Sequence, residues 1–249
     1  MAAAKFAFFS RKINLIGVSK FILNEFKSYY KLYNLKSVSV VHNGIEISHS
    51  SEKCFKFDDL RKSIVFAGTI KPVKGIDCLI QAFCKSGLHL NGYELHIYGK
   101  DTLLNNKSYI DTLLNLNSEV KKLVDSKKII YMGVRPRNEI FLAFKNSKLC
   151  VFPSHLESFG LVVIEAMSQG VLVLYTDQGP AKEIINDGHD GFLVMPNKIN
   201  ELAKKMSSIL ELPNEQKNRI KKNAMQKAEL FTMEECARKT LKLYSNAIN

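Results

Sequence analysis

The chain has 249 residues, of which 46% are hydrophobic and 24% charged; that suffices for one large domain or a domain with part of a second, and it excludes wholesale disorder. Lys and Arg number 36 against 24 Asp and Glu, a net charge of +12, which favours anionic partners: phosphorylated substrates, anionic headgroups or nucleic acid. The five cysteines (Cys54, Cys78, Cys84, Cys150 and Cys236) are odd in number and lack CxxC spacing, which argues against a disulfide framework or a zinc site and makes a reducing cytoplasm the simplest location.

Residues 14–18 read as a strand, and Ser19 suits the N-cap of a helix carrying Phe21, Ile22, Phe26, Tyr29 and Tyr30. Residues 38–41 read as a second strand, followed by His42, Asn43 and Gly44. Two strands and one helix make no stable domain alone. Residues 46–62 are polar and read as a linker.

From residue 63 to about 230 strands alternate with helices. Apolar runs at 64–67, 94–98, 129–132, 149–152, 171–175 and 192–194 are bounded mostly by Gly or Pro, as buried strands are. Helical spacing joins Ile76, Leu79, Ile80 and Phe83, then Ile110, Leu113 and Leu114, then Val120, Leu123 and Val124, then Ile140 and Phe144, then residues 161–167. The alternation predicts a parallel sheet covered by helices on both faces, an α/β Rossmann-like domain with its site at the carboxyl ends of the strands. Beyond Asn200 the pattern is helical: Leu202, Met206, Ile209 and Leu210 form one stripe that Pro213 ends, Ile220, Ala224 and Leu230 a second, Cys236, Leu241 and Tyr244 a third. No apolar run approaches the ~20 residues that span a bilayer.

Three loops carry candidate chemistry. In residues 152–170, FPSHLESFGLVVIEAMSQG, a strand ends, a loop presents Glu157, and a helix starting near Gly160 carries Glu165. Backbone amides at such a helix start bind phosphate or sugar oxygens, and a carboxylate accepts hydrogen bonds from a vicinal diol. A capping loop with a solvated Glu157 and a salt-bridged Glu165 fits the same residues. In residues 68–75, GTIKPVKG, Lys74 and Lys71 are cations for a diphosphate, or ordinary loop lysines. In residues 176–191 Glu183 falls in a first helical turn after Gly179 and Pro180, where the helix dipole alone favours it. His155 lies near these groups, but the histidines show no metal-ligand spacing. No P-loop, GxSxG or HExxH pattern occurs.

The segments NLIGVSKFI, VVHNGIE, FAGTIKPVKGIDCLIQAF, ELHIYGK, IIYMG, VFPSHLESFGLVVIEAMSQG and TDQGPAKEIINDGHDGFLV, in this order, resemble glycosyltransferase family 4, whose members adopt the two-domain GT-B fold. The Glu157-x7-Glu165 element is the most specific match. The resemblance implies retaining transfer of a sugar from a UDP- or GDP-sugar to a glycan or lipid-linked acceptor in surface polysaccharide or lipopolysaccharide synthesis, without a metal, other cofactor or nucleic-acid partner. It implies Glu165 as the ribose ligand, Glu157 beside the donor sugar, Lys74 on the diphosphate, and Gly68, Thr69, Lys71, His155, Ser158, Phe159, Gly160 and Leu161 around the donor. Glu157 and Lys74 are the implied catalytic pair. Many members carry Arg where this chain has Thr69. Residues 1–45 resemble only the final strand–helix–strand of the acceptor-side domain, which implies a missing domain or subunit, and residues 231–249 resemble a helix that crosses back to that domain. A catalytically incomplete nucleotide-sugar-binding or interaction subunit is the alternative expectation, and a charge-driven membrane-surface or nucleic-acid binder the third. The resemblance places the protein in the cytoplasm, with peripheral contact at the inner membrane face.

Overall fold

The structure, a computed structural model, describes residues 13–29, 35–47 and 62–248. The linker expected at 46–62 therefore lies almost wholly outside the described residues, as does Cys54; Cys78, Cys84 and Cys150 are buried thiols and Cys236 is half-buried.

The six apolar runs form one parallel sheet. Its strands are β3 (Lys62–Ala67), β4 (Tyr93–Tyr98), β7 (Ile129–Gly133), β8 (Leu149–Phe152), β9 (Val173–Thr176) and β10 (Phe192–Val194), in the order β10-β9-β8-β3-β4-β7. Every residue of β8 and β9 is buried, as a sheet covered on both faces requires. The fifth run starts at Val173 rather than 171; Val171 and Leu172 are core residues preceding the strand. The chain leaves β3 through β4 to β7, then returns to the other side of β3 with β8. Strand order therefore reverses between β3 and β8, and the loops that follow these strands diverge around a crevice.

Helices α2 (Ile76–Ser86) and α8 (Ile199–Glu211) pack together, as do α6 (Leu161–Ser168) and α9 (Asn214–Ala228). Leu202, Met206, Ile209, Leu210, Ile220 and Ala224 are buried as the stripes predict. Leu230 is not: it sits in a 3₁₀ turn, Glu229–Phe231, and is 59% exposed, whereas its neighbour Phe231 enters the core. The helical period breaks there, so the stripe cannot be extended through it. An antiparallel hairpin absent from the prediction, β5 (Leu103–Leu104) and β6 (Lys107–Ser108), turns on Asn105 and Asn106, both with positive φ. Asn tolerates that conformation better than other non-glycine residues, so the Asn-Asn pair was its sequence signal.

The first segment is a parallel pair, β1 (Ile13–Gly17) and β2 (Leu35–Val40), joined by α1 (Lys20–Tyr29). Ser19 caps α1, its Oγ accepting from the Ile22 amide at 3.1 Å. Several ties hold this segment to the large domain, among them one through Ile45 and one through Glu183. Ile45 exchanges backbone hydrogen bonds with Phe231 and Met233 (2.8 and 3.1 Å), where α10 (Met233–Ile248) begins. Glu183 stands in the first turn of its own helix as expected, but its carboxylate serves another: it accepts from the Lys20 and Phe21 amides of α1 at 2.9 and 3.0 Å and meets His42 Nε2 at 3.2 Å. Its own helix, α7 (Ala181–Ile184), is a single turn with little dipole to offer.

Two predictions follow from close approaches. A Cβ on Gly75, whose φ is +67°, would lie 2.1 Å from the Pro153 carbonyl oxygen, whereas one on Gly87, at φ +66°, meets nothing within 4 Å. In urea denaturation Gly87→Ala is expected to lose about 1 kcal/mol from its left-handed backbone alone, and Gly75→Ala more than about 2 kcal/mol because backbone must also move. Burial by itself would raise the Glu183 carboxyl, but the Lys20 and Phe21 amides and His42 more than offset this and hold it below the ordinary range. Its contribution is therefore complete above the unfolded value of about 4.3 and is lost as pH falls through the lower folded value. Glu183→Gln should cost about 1–3 kcal/mol at neutral pH, and its acid-unfolding curve should show a shallower slope below about pH 4.3 than wild type.

Candidate active site at the sheet's carboxyl edge

The loops after β3 and β8 meet at the switch point, and glycine permits it. Gly99, at φ +141°, brings its backbone so near the loop that a Cβ would fall 1.8 Å from the Gly68 carbonyl oxygen. Gly68 and Ile70 donate to the carbonyls of Tyr98 and Lys100 at 3.0 and 2.8 Å, fixing the loop's exit from the sheet. A 3₁₀ turn, Pro72–Lys74, follows, and the His155 amide donates to Val73 O at 2.8 Å, joining the two loops. Lys74 Nζ then reaches Glu157 Oε1 at 2.5 Å, and Ser154 Oγ donates to the same oxygen at 2.8 Å. The Glu157 side chain is only 10% exposed, so this carboxylate is held by its partners rather than solvated. Gly179, in the turn after β9, backs directly onto the Glu157 backbone.

The second carboxylate stands one loop further. Gly160 caps α6 in a left-handed conformation, φ +99°, with a hypothetical Cβ 2.6 Å from the Tyr175 hydroxyl. The first amides of α6 thus open at the sheet edge, as an anion or sugar oxygen would need. Glu165, one turn along, lines a cavity of about 290 Å³ with Ala67, Gly68, Tyr98, Gly99 and Val162. Burial pushes the Glu165 carboxyl above its usual range, and Arg137, whose Nη2 lies 3.2 Å from Glu165 Oε1, draws it back only in part. Arg137 also stacks over Phe141 and pairs with Glu46 at 3.1 Å. The Tyr175 hydroxyl is buried without a hydrogen-bond partner among the described residues, and burial together with the Glu157 charge holds its proton firmly.

Of the residues implied for the donor, the cavity wall takes Gly68 and Glu165. Glu157 faces Lys74 and Ser154 instead, so the two glutamates do not share this cavity. Thr69, Lys71, Ser158 and Leu161 are exposed and do not line it. The Phe159 ring is buried, stacked on His42 at 5.4 Å and edge-on to Phe231 at 5.8 Å, so only its backbone is available to a ligand. Ser158 is engaged through its carbonyl, which accepts from Ser19 Oγ at 3.1 Å. The His155 side chain lies apart, beside Asp77 and Cys78. Sequence reasoning missed Arg137 and its neighbour Arg135, which lines the same cavity. Their signal was present: VRPRNE directly follows the glycine that closes the third run, at the carboxyl edge where ligands bind.

Comparison with known proteins agrees with this architecture. Residues 51–227 match the model of the family described as glycosyl transferases group 1. The uncharacterized glycosyltransferase MJ1178 of Methanocaldococcus jannaschii is 28% identical over 236 residues, 92% of this chain and 58% of that protein. D-inositol 3-phosphate glycosyltransferase of Mycolicibacterium smegmatis is 28% identical over 181 residues, 70% of this chain and 40% of its own length. The chain thus spans roughly half the length of such relatives. In fold it resembles a glycosyltransferase from Rickettsia africae, with a TM-score of 0.84 at 21% identity over 100% of this chain and 68% of the other. It also resembles Anabaena HepE in complex with UDP and glucose, with a TM-score of 0.77 at 20% identity over 92% and 62%. The doubly covered parallel sheet is that of GT-B glycosyltransferases, and the chain belongs to the glycosyl transferases group 1 family.

Proposed function

We propose that the chain is the donor-binding part of a retaining family 4 glycosyltransferase, using a UDP- or GDP-sugar and a glycan or lipid-linked acceptor of cell-surface polysaccharide or lipopolysaccharide synthesis. The observation that carries this reading is the placement of Glu165 on the wall of a cavity at the ends of β3, β4 and β7, one turn from the open amides of α6. Nucleoside and ribose fill the cavity, with the ribose diol donating to Glu165. The diphosphate lies toward the switch point, against the α6 amides, and draws Lys74 away from Glu157. In the transfer, the bond between the anomeric carbon and the diphosphate oxygen breaks with its electron pair leaving on the diphosphate, while the acceptor hydroxyl oxygen bonds to the anomeric carbon on the same face and its proton passes to the departing diphosphate. A fixed cation and oriented amides stabilise that charge more in the transition state than in the ground state. Glu157, released from Lys74, accepts from the donor sugar's hydroxyls. No metal enters this reading. A nucleotide-sugar donor is supported by the fold neighbour HepE of Anabaena, which forms a complex with UDP-glucose.

A second reading, a nucleotide-sugar-binding subunit that transfers only with a partner, is favoured by α10, where Met233, Leu241 and Tyr244 are each more than half exposed. We place the protein in the cytoplasm, where its +12 charge suits peripheral contact with an anionic inner membrane face; among the described residues no helix is long and apolar enough to cross a membrane.

Titration calorimetry with UDP and with GDP tests the donor site. One of the two should bind, Glu165→Ala should weaken it at least about tenfold, or 1.4 kcal/mol, and Lys74→Ala should weaken the diphosphate more than the corresponding monophosphate. Absence of heat with both nucleotides would remove the reading. Transfer by the chain alone would remove the second reading, while nucleotide binding without transfer would support it.

A further inference from the structure

Asp77 and Cys78 occupy the first turn of α2, and the loop after β8 carries His155 to them. A carboxylate oxygen, the thiol sulfur and an imidazole nitrogen all lie within 4.8 Å of one another, with Cys78 Sγ 3.9 Å from Asp77 Oδ2. Independently, Asp77 Oδ1 is buried and has no hydrogen-bond partner among the described residues. An orphan carboxylate oxygen out of water is costly and calls for an occupant. The cluster is also braced: the His155 amide is bonded to Val73 O, and Gly75 packs its backbone on Pro153, so the two contributing segments cannot drift apart. His155 is not buried, which leaves a path from solvent.

We propose that Asp77, Cys78 and His155 form a binding site for a zinc-class divalent cation, distinct from the donor cavity. One thiolate, one imidazole and one carboxylate are the ligand types of zinc, and three protein ligands leave a fourth position for water. A tetrahedron on bonds of ~2.0–2.3 Å has edges of roughly 3.3–3.8 Å, so the cluster must close by about an ångström, within the reach of side-chain rotation. Cys78 binds as the thiolate, and its proton passes to solvent. The bound cation would cross-link the segment holding Lys74 to the segment holding Glu157, and so bear on the mobility of both.

The test is a cobalt(II) titration of the metal-free full chain, read by the thiolate-to-cobalt charge-transfer band and reversed with zinc. The expected result is a band saturating at one equivalent, bleached by one equivalent of zinc and unchanged in Cys236→Ser. Cys78→Ser should abolish the band, and His155→Ala, which removes a side chain outside the core, should weaken binding by more than about tenfold. If Cys78→Ser fails to fold, His155→Ala together with Asp77→Asn decides. No band at stoichiometric cobalt would overturn the proposal, as would a band of unaltered affinity in His155→Ala.

Discussion

The reversal of strand order between β3 and β8 is the constraint on which the site depends. It forces the loops after two adjacent strands to leave in different directions and then to meet beyond the sheet edge. Meeting requires backbone-to-backbone contact that side chains would forbid. Gly75, after β3, rests on Pro153, after β8, while Gly99, after β4, and Gly179, after β9, pack on the same two loops at Gly68 and Glu157. Each glycine does so with φ in the left-handed or otherwise glycine-favoured region. The hydrogen bond from His155 to Val73 completes the closure. What these contacts position is a lysine from one loop and a glutamate from the other, close enough to pair.

Three carboxylates then face three different compensations. Glu157 has Lys74 and Ser154, Glu165 has Arg137, and Glu183 has two amides and His42. A half-buried carboxylate needs such partners, because desolvation without them costs several kcal/mol. The differences decide which can be exchanged. Glu183 is held by backbone at the start of a ten-residue helix and reads as structural. Arg137 divides its guanidinium between Glu165 and Glu46 and is itself about half exposed, so it can yield one partner to a ligand at little loss. Burial pushes the Glu165 carboxyl up more than Arg137 draws it back. Hydroxyl donors from a ligand would complete the compensation.

Much of this was legible in the chain. All six strands of the sheet, the capping role of Ser19 and the start of α6 at Gly160 follow from apolar runs, glycine and short-range capping rules, although β7 at the sheet edge is mostly half-buried rather than buried. Local rules failed where the decisive partner was remote. Glu183 looked like a first-turn residue of its own helix, yet the dipole it serves belongs to α1, more than a hundred residues earlier. The grouping of His155 with Asp77 and Cys78 has no sequence spacing to reveal it, because only the switch-point geometry makes it. Arg137 sat in view at a strand's end, but no periodicity distinguishes a cavity arginine from a solvated one.

The small β1–α1–β2 segment shows the same dependence on remote partners in energetic terms. Of its described residues and those just following, Leu23, Val41 and Ile45 are its buried apolar residues, far too few for an independent core. Its fixed position comes instead from polar ties: Ser19 to Ser158, the α1 amides to Glu183, Ile45 to the strand-like exit before α10. Ser158 lies next to Glu157, and His42, which meets Glu183, also stacks on Phe159. The loop that carries the proposed reaction-centre glutamate is therefore gripped from below by the sheet and from the side by this segment. A displacement of this segment would be felt at Ser158 through Ser19, at Phe159 through His42 and at Glu183 through the α1 amides. The position of this segment and the shape of the loop around Glu157 are coupled through these contacts.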